Sequence, residues 1–102
     1  MLFKKTPQEL TVYRFIDAYV DLYGELKIPI IIKQFHIHRS KACAIMMKYK
    51  QKKPSNLTYD VKKKKYLKED SFQKIFLVNE SSFLYLYAID LIFSRWKNII
   101  VT

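Results

Sequence analysis

Glycine is almost missing from this chain: Gly24 is the only one in 102 residues. No glycine-rich loop can therefore wrap a phosphate, which excludes the nucleotide folds built on one. Cysteine is equally scarce, and Cys43 alone cannot form an internal disulfide framework; a solitary thiol fits a reducing compartment. No apolar run approaches the roughly 20 residues a bilayer crossing needs. The longest, Phe83 to Phe93, is broken by Asp90 and followed by Arg95 and Lys97. The N-terminal MLFKKTPQEL lacks the apolar stretch of about 7–15 residues that marks a secretory leader. Acids are few as well. Asp17, Asp21 and Glu25 recur every four residues along the first predicted helix and just past its end and flank no histidine, so they form no acid–base constellation for an enzyme.

What the chain has in excess is positive charge, and its position matters more than its size. The formal net charge is +10. Between His38 and Lys68, Arg39 and ten lysines face the single acid Asp60, and outside that stretch bases and acids balance. A neutral body with one dense basic region calls for a polyanionic partner, nucleic acid first and an anionic membrane surface second. Half of the residues are hydrophobic, enough for one modest core.

Periodicity divides the chain. Thr6-Pro7-Gln8-Glu9 reads as a capping box with proline at the first helical position. Leu10, Tyr13, Ile16 and Val20 then repeat at three and four up to Gly24, predicting a helix over about Pro7 to Tyr23. Glu25 to Ile28 is a connector or brief strand. Pro29 starts a short helix with Ile31, Ile32 and Phe35 inward. From Arg39 to Lys50, Ala42, Ile45, Met46 and Tyr49 mark an inner face, with Arg39, Ser40, Cys43, Met47 and Lys50 opposite. Pro54 stops this helix. Leu57-Thr58-Tyr59 and Lys65-Tyr66-Leu67 predict two strands of a hairpin with a lysine tip, pairing further with Leu26 and its neighbours. After caps at 79–82, FLYLYAIDLIFSRWKNIIV predicts a helix apolar nearly all round, which must bury more than one face.

The fold class expected is thus mainly α with a small hairpin: residues 1–70 as a winged helix-turn-helix, and residues 71–102 as a packing and dimerisation helix. Ile37, apolar between polar neighbours, pegs the turn, and Ala42 lets the two helices cross closely. His36 stands where positive φ is wanted, a position histidine tolerates at some cost. The second helix would enter the major groove. Arg39 is the leading base reader, with Ser40, Cys43 and Met47 as smaller or apolar contacts. His38, Lys41, Lys48, Lys52 and Lys53 are placed near phosphates, and Lys62, Lys63, Lys64 and Lys65 form the wing. His38 has a second possible role as a helix cap. Phe83, Leu84, Tyr87, Leu91 and Trp96 are expected to pair two subunits.

The run from Arg14 to Leu67 resembles the N-terminal winged helix-turn-helix of WYL-domain transcriptional regulators, including those that control phage-defence operons. Phe15, Ile16, Gly24, Phe35, Ile37, Arg39, Ala42, Tyr49, Pro54, Asn56, Leu57, Tyr59, Asp60, Lys65 and Tyr66 carry the likeness, with P-x-N-L-x-Y-D its most specific part. His36 departs from glycine, His38 and Cys43 from serine and Lys41 from glutamine, so the family's preferred DNA sequence does not carry over. The resemblance implies double-stranded DNA binding and repression by a bacterial or phage-encoded protein acting in the cytoplasm on the nucleoid. That family continues into a ligand-sensing WYL domain and a dimerisation region. With the sequence ending at Thr102, the expectation is no ligand sensing and dimerisation through the terminal helix, and two-fold symmetry then predicts an inverted-repeat operator.

Other readings compete. His36, His38 and Cys43 fall short of the four ligands of structural zinc, so neither metal nor other cofactor is expected. A small nuclease or toxin using His36 or His38 would cleave nucleic acid. A nonspecific architectural or RNA-binding protein would be titrated away by random DNA, whereas a specific regulator keeps its site.

Overall fold

The protein is described by a computed structural model covering the backbone of residues 7–101 and the side chains of residues 8–93. The capping residue Thr6 and the Trp96 side chain lie outside that range. In chain order the elements are α1 (Pro7–Tyr23), β1 (Glu25–Leu26), α2 (Ile28–Phe35), α3 (Arg39–Lys52), a 3-10 turn (Pro54–Asn56), β2 (Leu57–Asp60), β3 (Lys65–Lys68) and α4 (Ser82–Val101). This is the mainly α winged-helix architecture expected.

α1 is the central helix. It buries Val12, Tyr13, Ile16 and Val20 against Ile31 of α2, Ala42, Ile45, Met46 and Tyr49 of α3, and Leu26 and Leu57 of the strands. Each large side chain buried there contributes about 1.5–3 kcal/mol. Gly24, at φ 75°, ends the helix by donating its N–H to the Val20 carbonyl at 2.9 Å. Its own carbonyl accepts from the Lys68 amide at 3.0 Å, so the turn that stops α1 also holds β3.

The three strands form an antiparallel sheet in the order β1-β3-β2. Leu26 lies opposite Tyr66, and Tyr59 opposite Tyr66 on the other side. At the hairpin tip, residues 61–64, the Asp60 carboxylate accepts from the Lys63 amide at 3.1 Å and Lys64 takes φ 54°. The hairpin is therefore anchored to the body through β1, as the pairing with Leu26 requires.

α2 and α3 are joined by three residues, 36–38. His36 adopts φ 55° and ψ 47°, the left-handed conformation expected of that position, and its N–H closes α2 by donating to Ile32. α3 runs two residues beyond Lys50 and ends at Lys52. Pro54 forces its predecessor Lys53 out of the helical region.

Two buried polar side chains tie the segment after β3 to this body. Asp17 on α1 has no solvent exposure. Its Oδ2 accepts the backbone N–H groups of Ile75, Phe76 and Leu77 at 2.8, 2.6 and 2.9 Å, and its Oδ1 accepts the Tyr49 hydroxyl at 2.5 Å. Asn56 donates to the Gln73 carbonyl at 2.8 Å and accepts the Gln73 amide at 3.0 Å. The chain then enters α4 through Ser81, whose Oγ accepts the Leu84 amide. α4 packs along α1, with Tyr85 donating to the Thr11 carbonyl at 3.0 Å and Ser82 to the Asp21 carboxylate at 2.7 Å. An edge-to-face chain Phe15–Phe35–Phe93 ties it to α2. No helix among the described residues is long and apolar enough to cross a membrane.

Candidate nucleic-acid interface

Burial along α3 separates its faces cleanly. Met46 has no exposure and Met47 is 62 % exposed, although they are neighbours in sequence. Arg39, Ser40, Lys41, Cys43, Ala44 and Met47 all lie on the outer, exposed side. The four residues assigned to base reading therefore form one surface. His38 occupies the N-cap position with its carbonyl accepting from Ala42, but its side chain makes no capping hydrogen bond. The capping role is thus not the one adopted, and the imidazole stands exposed at the helix start.

The lysines sort into two groups that the sequence could not separate. Lys41 and Lys48 straddle the Glu9 carboxylate at 3.6 and 3.8 Å while remaining about half exposed. The two lysine side chains are half exposed whereas the Glu9 carboxylate is buried, so both lysines still present their charge to solvent on one side. Lys50 is drawn off the outer face and donates to the Leu57 carbonyl at 2.7 Å. Lys53 donates to Gln73 Oε1 at 2.8 Å, and Lys52 is exposed near the end of α3. Lys62, Lys63 and Lys64 are exposed at the hairpin tip. Lys65 is not at the tip: it belongs to β3, its side chain is mostly covered, and it meets Glu25 at 2.6 Å. Its hydrogen bond is the main cause holding the Glu25 carboxyl below the usual range, against an opposing desolvation.

α4 carries a different surface. Phe83, Leu84, Tyr87 and Leu91 are 37–64 % exposed along α4, with Ile92 beside them, while Ile89 faces α1 and is buried. The four described members of the expected dimerisation set thus share an outward apolar face, and the fifth, Trp96, lies outside the described side chains.

His36, His38 and Cys43 do not gather: among the described residues no cluster of three His, Cys, Asp or Glu side chains could hold a metal ion. Sequence reasoning missed the roles of Asp17 and Asn56. Asn56 offered a signal, since a polar side chain stands between the apolar Leu57 and the helix stop at Pro54, in the most specific part of the P-x-N-L-x-Y-D run. Asp17 also gave a signal, an acid on the apolar stripe beside Ile16 and Val20.

Comparison with curated proteins found no match. A family model does match, that of the BrxR transcriptional regulator winged helix-turn-helix domain, over residues 9–89. The matched span includes the helix-turn-helix, the whole three-stranded sheet, the Asp17 and Asn56 anchors and the first turns of α4. With most of its length aligned and the fold in agreement, the chain belongs to the BrxR transcriptional regulator winged helix-turn-helix family.

Proposed function

We propose that this protein is a sequence-specific double-stranded DNA-binding repressor that occupies an inverted-repeat operator as a homodimer. The observation that carries the reading is the single exposed surface formed by Arg39, Ser40, Cys43 and Met47 on α3, together with the exposed lysine tip of the hairpin. α3 enters the major groove, and Arg39 reads a guanine through a bidentate contact worth about 1–3 kcal/mol of discrimination. Lys41, Lys48, Lys52, Lys53 and a few of the wing lysines neutralise phosphates, and His38 contacts one. Roughly 5–8 such contacts per subunit give a log–log salt slope of about −4 to −7. The apolar face of α4 joins two copies, so residues 1–70 contact DNA and residues 71–102 set the distance between recognition helices.

In vitro selection of duplexes by the full chain tests this reading. An inverted repeat retained in excess random DNA supports it. Selected pools without a shared sequence would replace it with the architectural reading, and divalent-ion-dependent cleavage products would replace it with the nuclease reading.

A further inference from the structure

Between the recognition surface and the lysine tip lie two phenols to which no role has been given. Tyr59 and Tyr66 are directly opposed across β2 and β3, their rings 4.7 Å apart and tilted by 55°. Strand alternation puts Tyr59 on the same side of the sheet as buried Leu57, the side that faces the helices. Tyr66 packs its ring against the core, and Tyr59, at 41 % exposure, continues that surface outward. Cys43 on the outer face of α3 is close enough to act on Tyr66. Burial first, then neighbouring Tyr59 and Cys43, push the Tyr66 phenol up, so it keeps its proton at physiological pH. Neither hydroxyl has a hydrogen-bond partner within the protein among the described residues.

A duplex holding α3 in its major groove runs one phosphate strand along the groove edge, between helix and wing. We infer that Tyr59 and Tyr66 form a phosphodiester clamp, each hydroxyl donating a hydrogen bond to a non-bridging phosphate oxygen of that strand. The inference rests on the docking described under Proposed function and adds a contact of a different physical kind. A lysine that meets a phosphate displaces a counterion and adds about −0.9 to the salt slope. A neutral hydroxyl displaces none, so it adds affinity without salt dependence.

The experiment follows from that difference. Tyr59→Phe, Tyr66→Phe, the double variant and a comparator with Lys62, Lys63 and Lys64 all changed to alanine are titrated with the selected duplex and a random one over a potassium chloride series. Each lost hydroxyl weakens binding about tenfold on both duplexes, at unchanged salt slope and unchanged melting temperature. The comparator flattens the slope by roughly 2–3. Should Tyr66→Phe lower the melting temperature, the exposed Tyr59→Phe decides. Wild-type affinity in the double variant would remove the clamp and leave the DNA-binding reading standing. Loss on the selected duplex alone, or loss with a flattened slope, would also overturn it, whereas a wild-type chain that binds no duplex would remove both.

Discussion

Replacing Asp17 should loosen α4 from the body of the protein before anything else gives way. Four donors converge on this carboxylate: three consecutive amides from residues 75–77 and the Tyr49 hydroxyl. In Asp17→Asn the amide oxygen still accepts the three N–H groups, and its NH2 donates to the Tyr49 oxygen. What disappears is the charge, which separates hydrogen bonds of about 1.5–3 kcal/mol from neutral ones of about 0.5–1.5, together with the acceptor of the Tyr49 hydroxyl proton. Part of that loss is returned because a buried charge no longer has to be desolvated, leaving a net cost of about 1–3 kcal/mol. For a chain of this size that lowers the melting temperature by roughly 5–20 °C. Asp17→Ala is harsher. It strands the donors at about 1–3 kcal/mol for each one that water cannot reach, so about 4–6 kcal/mol in all, a large part of a typical domain's stability. Chemical denaturation gives the total, and amide hydrogen exchange locates it. The amides of Ile75, Phe76 and Leu77 should lose protection first, followed by those of α4, while the α1 and α3 cores exchange only with global unfolding. Stabilities of both variants within 0.5 kcal/mol of wild type, or uniform loss of protection along the chain, would show that Asp17 does not fasten this segment.

Arg39→Ala should cost about 1–3 kcal/mol on the selected duplex and little on random DNA; equal loss on both, measured by competition binding, would remove its base-reading role. His36→Gly should raise the free energy of unfolding by about 0.5–1 kcal/mol by relieving the left-handed backbone at φ 55°, and an unchanged value in chemical denaturation would show that the turn carries no such cost. Leu84→Glu combined with Tyr87→Glu should leave a folded monomer by sedimentation and abolish preference for the inverted repeat over a single half-site; a persistent dimer would place the subunit interface elsewhere. Stability should also fall in alkali. Burial, with the Glu9 charge second, pushes Tyr13 up to about 12, and burial, with Asp17 second, pushes Tyr49 up as well. Both phenols keep their protons longer folded than unfolded, so their contribution is whole below about pH 10 and is lost as pH climbs through that value toward 12 and beyond. Denaturation midpoints that stay flat from about pH 9 to pH 11 would contradict this.

Most of the architecture is legible in the residues because local signals agree with one another. Pro7 and Gly24 bracket α1, Pro29 and Pro54 bound the helix-turn-helix, and the spacing of Ala42, Ile45, Met46 and Tyr49 states which side of α3 is buried. Even the left-handed His36 follows from the turn's geometry. The lysines were harder. Lys62 to Lys65 read as one uniform run, yet strand register turns Lys65 toward Glu25 and leaves the other three at the tip. Lys50 shares a helix face with Arg39 by periodicity, but a long side chain reaches whatever acceptor is nearest, here the Leu57 carbonyl. Asp17 shows the deeper limit: the amides that satisfy it lie some sixty residues away, in a segment without periodicity of its own. Sequence patterns report which residues turn inward, not which distant donors meet them.

The sheet order β1-β3-β2 bears on how specificity is divided between the partners. Since β3 pairs on one edge with the strand that follows α1 and on the other with β2, and since Gly24 takes the Lys68 amide, the base of the wing is fastened to the body at β1 and at the turn that ends α1. A wing fastened at its base leaves part of the adjustment to the thing it reads. When helix and wing engage together, the elastic cost of matching their separation falls on the double helix, and that cost varies with the stacking of base steps the protein never touches. Operators would then be ranked partly by how readily they bend, with pliant pyrimidine–purine steps favoured in the stretch between groove contact and wing.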